Sequence, residues 1–334
     1  MARLGHFNRA GFDHIPEGGV KPYAMQVADG IRRDTWLGRK KFLAYLNYAN
    51  NYVYWLRAAN NDPARLDRLA RIERVIHQPF SRSARTERAA EFRKRDFHFE
   101  EKLLDPELVQ RLAQDLVQPQ TYNDPYIPGF YHSGFPQQTQ HPFLYMDPQT
   151  LFLNPVFLEI CSNQGIIDFC REALGPRAAL SWAWTWISQP TNVAYQNQKW
   201  HRDAAEPLNF IRIFVPLSAI TAAEDGATEL IPGTSRLRQC YERRRFSDQE
   251  VEGLRQEHGA GVMLADVGDV YFVNTFAIHR GTPPTRRRGL LSLLVSIGPS
   301  HRTPMIRKLR MDEIPEHLRD RFRRNRSFFR RLVR

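Results

Sequence analysis

Ala179-Leu180-Ser181-Trp182-Ala183-Trp184-Thr185-Trp186-Ile187-Ser188 alternates bulky and small side chains with a period of two. Successive side chains of a strand point to opposite faces, so the run predicts a strand with its tryptophans on one face. Downstream, 209–217, 227–231, 262–266, 269–274 and 290–297 are further strand-like runs, separated by Gly, Pro and charged turns. Many short strands without intervening helices favour a sandwich or barrel over a doubly wound sheet. One interruption reads as helical: Ser247-Asp248-Gln249-Glu250 is a capping box that opens a short helix over 248–257.

Toward the N-terminus the spacing changes to three and four. Residues 155–174 read as one helix stopped by Gly175-Pro176, and the proline- and aromatic-rich 118–147 as loop. Asp105-Pro106-Glu107 and Asn61-Asp62-Pro63 each place an aspartate cap before a proline in the first helical turn. They predict an amphipathic helix through Leu108, Val109, Leu112 and Leu116, and another over Pro63–Ile76. Phe42, Tyr45, Leu46, Ala49, Val53 and Leu56 form a helical apolar stripe, and 1–25 an irregular arm.

A chain of 334 residues, 42% of them hydrophobic, suffices for one large domain with an extension or for two small ones. Its three cysteines, Cys161, Cys170 and Cys240, have no C-x-x-C spacing, which excludes a cysteine zinc site and fits a reducing cytoplasm. We expect no signal peptide and no membrane span. The net charge of +12 is concentrated at one end: residues 301–334 hold twelve Arg or Lys against four acids. Eight Arg between 319 and 334 alternate with Leu318, Phe322, Phe328, Phe329, Leu332 and Val333, a composition used by basic interfacial helices. The tail therefore reads either as a solvated basic segment or as a peripheral anchor for an anionic membrane. No groove-reading or base-stacking motif accompanies the charge, so no nucleic-acid partner is expected.

The chemistry lies around His201-Arg202-Asp203 and His279, each of which follows a predicted strand. Two imidazoles and one carboxylate on one face of Fe(II) leave three positions for a bidentate co-substrate and O₂. H-x-D alone is common by chance, and its surroundings are what raise it. Glu224-Asp225-Gly226 leads to a turn at Pro232-Gly233-Thr234. Gly268-Asp269 opens the strand before His279, and Arg288 lies nine residues beyond His279.

In this order the motifs resemble those of the phytanoyl-CoA dioxygenase family over roughly 93–300, with Leu103-Leu104-Asp105-Pro106-Glu107-Leu108 similar to the family's N-terminal helix. The resemblance implies an α+β chain with a mainly β core, a double-stranded β-helix (jelly-roll or cupin-like) with flanking helices. It implies an oxygenase that uses Fe(II), 2-oxoglutarate and O₂, releases succinate and CO₂, and hydroxylates a C–H bond of a small-molecule or lipid-like substrate. His201, Asp203 and His279 would bind the metal. Arg288 would pair with the distal carboxylate of 2-oxoglutarate, chosen over Arg286 and Arg287 because it shares strand parity with Leu290, Ser292 and Leu294. Thr185 would touch 2-oxoglutarate from the inner face, leaving Trp182, Trp184 and Trp186 against the helices. The inverse would make the tryptophans a substrate wall.

The corresponding division is an N-terminal arm and helical extension (1–92), a catalytic domain (93–300) and a basic tail (301–334). The competing reading is a non-enzymatic jelly-roll binding module, for which a carboxylate clamp beside the metal has no purpose. A radical halogenase would lack the carboxylate ligand that Asp203 supplies.

Overall fold

The computed structural model describes residues 62–78, 86–118, 121–123, 131–133, 142–191, 193–203, 206–237, 245–298, 300 and 307–334. The arm at 1–25 and the stripe at 42–56 lie outside the described residues.

Helices α1 (Pro63–His77), α2 (Glu87–Arg95) and α3 (Pro106–Asp115) come first, with β1 (Phe97–Glu100) between the last two. Asp62 accepts from Ala64 N and Asp105 from Glu107 N, both at 2.9 Å, so each aspartate caps its helix. The segment expected as loop contains three strands, β2 (Thr121–Asn123), β3 (Tyr131–Ser133) and β4 (Phe143–Met146). They are three or four residues long and lie among prolines, which hides their period.

Next are α4 (Pro148–Leu153), α5 (Pro155–Cys161) and α6 (Gln164–Leu174). The single helix expected over 155–174 is thus broken at Ser162-Asn163. Ser162 Oγ donates to Glu159 O, and Asn163 caps the next helix by accepting from Ile166 N. Such short polar side chains compete with the helical ladder.

The remaining strands are β5 (Ala179–Ser188), β6 (Phe210–Pro216), β7 (Thr228–Leu230), β8 (Gly261–Met263), β9 (Val270–Val273), β10 (His279–Gly281) and β11 (Arg288–Ser296), with α7 (Asp248–His258) before β8. All pair antiparallel. An eight-stranded sheet has the order β1-β9-β6-β11-β5-β4-β2-β3, and a three-stranded sheet the order β10-β7-β8. After β6 the chain passes between the sheets, which is the winding of a double-stranded β-helix.

Parity sorts the side chains. Ile211, Ile213, Val215, Leu291 and Leu293 face Val109, Leu112, Phe157 and Phe169 in a helix-covered core. Phe214, Tyr271, Val273 and Leu290 face Leu230 and Met263 of the small sheet. The second layer is the interior of the β-helix.

The C-terminal segment corrects one expectation. After a short parallel bridge between Leu309 and Val333, α8 (Arg319–Arg324) and α9 (Arg326–Phe329) fold back onto the main core. Leu318, Phe322, Phe328, Phe329 and Leu332 are each at most 1% exposed within it. Burying one such side chain is worth about 1.5–3 kcal/mol, more than the about 1 kcal/mol an arginine gains at an anionic leaflet. The apolar half of the supposed interfacial helix is therefore committed to the fold. Arg331 fastens the segment, donating to Ser296 Oγ, Ile297 O and Gly298 O at 2.6–2.8 Å. The core also includes Leu66, Ala89 and Phe92, so it runs across both expected boundaries, at 92/93 and 300/301. No helix among the described residues is long and apolar enough to cross a membrane.

Candidate metal centre

His279 opens β10, and His201 is bridged antiparallel to it, so the two residues are direct cross-strand neighbours. Their rings lie with centroids 4.2 Å apart. Asp203 follows two residues later, its backbone N donating to Thr275 O at 2.9 Å. One ligand atom from each of His201, Asp203 and His279 lies within 4.8 Å of the other two. Both imidazoles are oriented alike. His201 Nδ1 is 2.8 Å from Lys199 O, and His279 Nδ1 3.0 Å from Ala277 O. A carbonyl can only accept, so each Nδ1 carries the hydrogen and each Nε2 is left with a lone pair for a metal.

The motifs around the triad hold its two histidines. Thr234, in the Pro232-Gly233-Thr234 turn, donates its hydroxyl to Ile231 O at 2.7 Å and accepts from Ile278 N at 2.9 Å, beside His279. Its carbonyl accepts from Arg202 Nη2 at 2.9 Å, beside His201, and that guanidinium lies over Phe276 at 5.1 Å. The Gly268-Asp269 turn docks the segment before α3. Leu104 N donates to Gly268 O at 2.9 Å and Lys102 N to Asp269 Oδ1 at 2.8 Å. At φ +104°, Gly268 lets Leu104 O approach to where a Cβ would be 2.7 Å away.

Arg288 begins β11 on the inner face, opposite Ser188 and in the same row as Leu290 and Ser292. It is 5% exposed, and its Nε is buried with no hydrogen-bond partner among the described residues. Burial pushes its pKa down to about 10, still cationic at neutral pH. The adjacent arginines go elsewhere: Arg286 Nε pairs with Asp225 Oδ1 at 2.8 Å and Arg287 Nε with Gln189 Oε1 at 3.0 Å. Gly226 makes room for the Arg288 stem, since a Cβ there would stand 2.9 Å from Arg288 Cδ.

Thr185 does not join this group. It pairs with Leu291, whose side chain faces the helices, and its hydroxyl donates to Leu290 O at 3.2 Å. The inner row of β5 holds Trp184 and Trp186 instead, with Tyr145 of β4 stacked on Trp186 at 5.3 Å. Trp184 and Trp186 line the interior, the inverse of the expected assignment for these two. Trp182, at the far end of that row, packs on Phe152 of α4.

The sequence reading passed over Arg212 and Glu206. Arg212 Nη2 donates to Glu206 Oε1 at 2.6 Å and its Nε lies 3.7 Å from Asp203 Oδ2. The signal was present as a lone arginine inside the otherwise apolar strand Phe210–Pro216. Asp96 was also missed. Its buried carboxyl, raised in pKa mainly by desolvation, accepts from Ser235 N and Asn274 Nδ2, tying the Thr234 turn to the Thr275 loop.

No family model matches the chain, and no curated protein matches it. Among solved structures it is similar to HygX from Streptomyces hygroscopicus with nickel, 2-oxoglutarate and hygromycin B bound, at 16% identity over 70% of this chain and 93% of that one, TM-score 0.47. EctD from S. alaskensis with 2-oxoglutarate and 5-hydroxyectoine is similar at 17% identity over 66% of this chain and 80% of that one, TM-score 0.47. SnoN, a non-haem α-ketoglutarate-dependent epimerase of nogalamycin biosynthesis, is similar at 14% identity over 70% of this chain and 84% of that one, TM-score 0.45.

Proposed function

We propose that the chain is an Fe(II)- and 2-oxoglutarate-dependent oxygenase, of the kind its motifs resemble, that hydroxylates a C–H bond of a small-molecule or lipid-like substrate. The observation that carries this reading is a pairing. Two histidines and an aspartate converge with each Nδ1 turned to a backbone carbonyl, and the same β-helix interior holds a buried arginine whose Nε has no hydrogen-bond partner among the described residues. A binding module that only held a metal would have no use for that cation. A small anion with a carboxylate at one end and metal-binding oxygens at the other satisfies both.

The donor set fits iron: two imidazole nitrogens and one carboxylate suit a divalent iron with open positions. His201, Asp203 and His279 would hold it, and when bound it supplies the redox chemistry that couples 2-oxoglutarate decarboxylation to substrate oxidation by O₂. The rest is work of the chain. Arg288 binds and orients the distal carboxylate, a role suited to a fork of N–H donors. Trp184, Trp186 and Tyr145 wall the inner face and exclude water, which strengthens that charge pair. Lys199 O and Ala277 O keep the Nδ1 protons in place, so neither imidazole turns away from the centre.

The reading is tested by adding Fe(II), 2-oxoglutarate and O₂ to the purified protein and following succinate. Slow release without prime substrate, absent in His279→Ala, is expected. Equal release by parent and variant would remove His279 from the site.

A further inference from the structure

The guanidinium of Arg212 lies between two carboxylates. Its Nη2 donates to Glu206 Oε1 at 2.6 Å, its Nε is 3.7 Å from Asp203 Oδ2, and its carbon stands 4.9 Å from the Trp184 ring centre. Arg212 and Glu206 are 3% and 1% exposed. Glu206 N donates to Asp203 O at 3.2 Å, which sets Glu206 beside Asp203. The other Asp203 oxygen, Oδ1, lies 3.7 Å from His201 Nε2. One oxygen of Asp203 thus faces the metal position and the other faces arginine.

A buried ion pair is a poor way to stabilise a fold, because an apolar pair of similar volume does as well or better. The location of this one is what distinguishes it. A carboxylate can give a metal one oxygen or both, and a cation beside Oδ2 favours the first. Glu206 completes the arrangement, because it engages Nη2 and so fixes the plane of the guanidinium with its Nε edge toward Asp203. The Trp184 face holds the same plane from the side.

We propose that Arg212, held by Glu206, is a positioning residue that restricts Asp203 to one metal-bound oxygen and keeps three metal positions open for co-substrate and O₂. This rests on the metal-site reading of His201, Asp203 and His279. It requires a planar cation, so lysine is not an equivalent replacement.

The test compares parent, the double variant E206M/R212M and R212K for melting temperature, Mn(II) affinity by anaerobic titration, and the visible spectrum of bound cobalt(II). That spectrum loses intensity when a second carboxylate oxygen raises the coordination number. The double variant removes both buried charges together, and it is expected to fold with a melting temperature near the parent's. It should bind Mn(II) about 10- to 100-fold more weakly, with a weaker cobalt band. R212K, which keeps a cation opposite Glu206, should show the same changes, and it carries the test if the double variant does not fold. Folded variants with the parent's Mn(II) affinity and cobalt spectrum would overturn the proposal while leaving the metal site intact. A parent that binds neither Mn(II) nor cobalt(II) would overturn the metal reading and this proposal together.

Discussion

His201 and His279 exchange both backbone hydrogen bonds, His201 N to His279 O at 2.9 Å and His279 N to His201 O at 3.0 Å. The two imidazoles are therefore set side by side by main-chain pairing. Replacing either with alanine leaves the pairing in place. We expect His201→Ala and His279→Ala to lose Fe(II) binding and succinate release while the metal-free protein keeps its urea midpoint to within about 1 kcal/mol of stability, as for a change that removes no core packing. Titration calorimetry and urea denaturation check the two halves separately.

Arg288 is expected to show the opposite pattern. Arg288→Ala should leave metal affinity unchanged and weaken 2-oxoglutarate by about 2–5 kcal/mol, the cost of removing a charge-assisted partner from a buried anion. Arg286→Ala and Arg287→Ala are the controls, and an equal loss in either would move the clamp by one or two positions. Because desolvation lowers the folded-state pKa below that of the unfolded chain, both states stay protonated below about pH 10 and the group adds no pH dependence to stability there. Stability linked to it rises only as pH climbs through about 10 toward the unfolded value. Binding of 2-oxoglutarate should accordingly show no break from Arg288 between roughly pH 7 and 9.

The C-terminal segment should behave as core. Phe328→Ala is expected to cost about 3–5 kcal/mol in urea denaturation, the range for deleting a buried aromatic. Deleting 307–334 should unfold or aggregate the protein, since it strips Leu318, Phe322, Phe329 and Leu332 from the same cluster. A truncated chain with the parent's stability would mean that these contacts contribute little.

How much of this was legible in the sequence follows from what each feature depends on. The alternation in β5 and the caps at Asp62, Asp105 and Ser247 are local, and they appear where the spacing placed them. The parity of Arg288 is local too once β11 begins at that residue. Which face of β5 turns inward is not local. It depends on which layer each face meets, and Trp184 and Trp186 meet the β-helix interior while Thr185 meets the helices. The tail was misread for the same reason, because an amphipathic basic segment looks alike whether its apolar face covers a core or a lipid surface. The helix α7 is local in its cap, but its packing is not: Val251 sits against Trp200, Ile231 and Ile278, and Arg255 pairs with Glu229 at 3.1 Å. Those residues lie on the outer face of the small sheet, behind His279, so α7 backs the site.

Gly226 gives a test of the clamp that leaves Arg288 itself in place. Its φ of +92° disfavours any side chain, and the nearest atoms to an added Cβ would be Arg288 Cδ at 2.9 Å and Pro284 Cβ at 3.0 Å. Gly226→Ala should cost about 1–2 kcal/mol for the left-handed backbone alone. The stem of Arg288 must also shift by some tenths of an ångström, and a misplaced fork loses one of its two parallel hydrogen bonds to a carboxylate. The triad approaches from β10 and the His201 loop, so metal affinity should stay at the parent's value while 2-oxoglutarate binds at least about tenfold more weakly, a difference of about 1.4 kcal/mol. The ligand-induced rise in melting temperature reads this directly. At 100 times the dissociation constant the parent gains about 2.7 kcal/mol, and at that same concentration the variant should gain about 1.4 kcal/mol or less. Equal stabilisation of both proteins by 2-oxoglutarate would show that the tight packing of Gly226 on Arg288 does not govern the clamp.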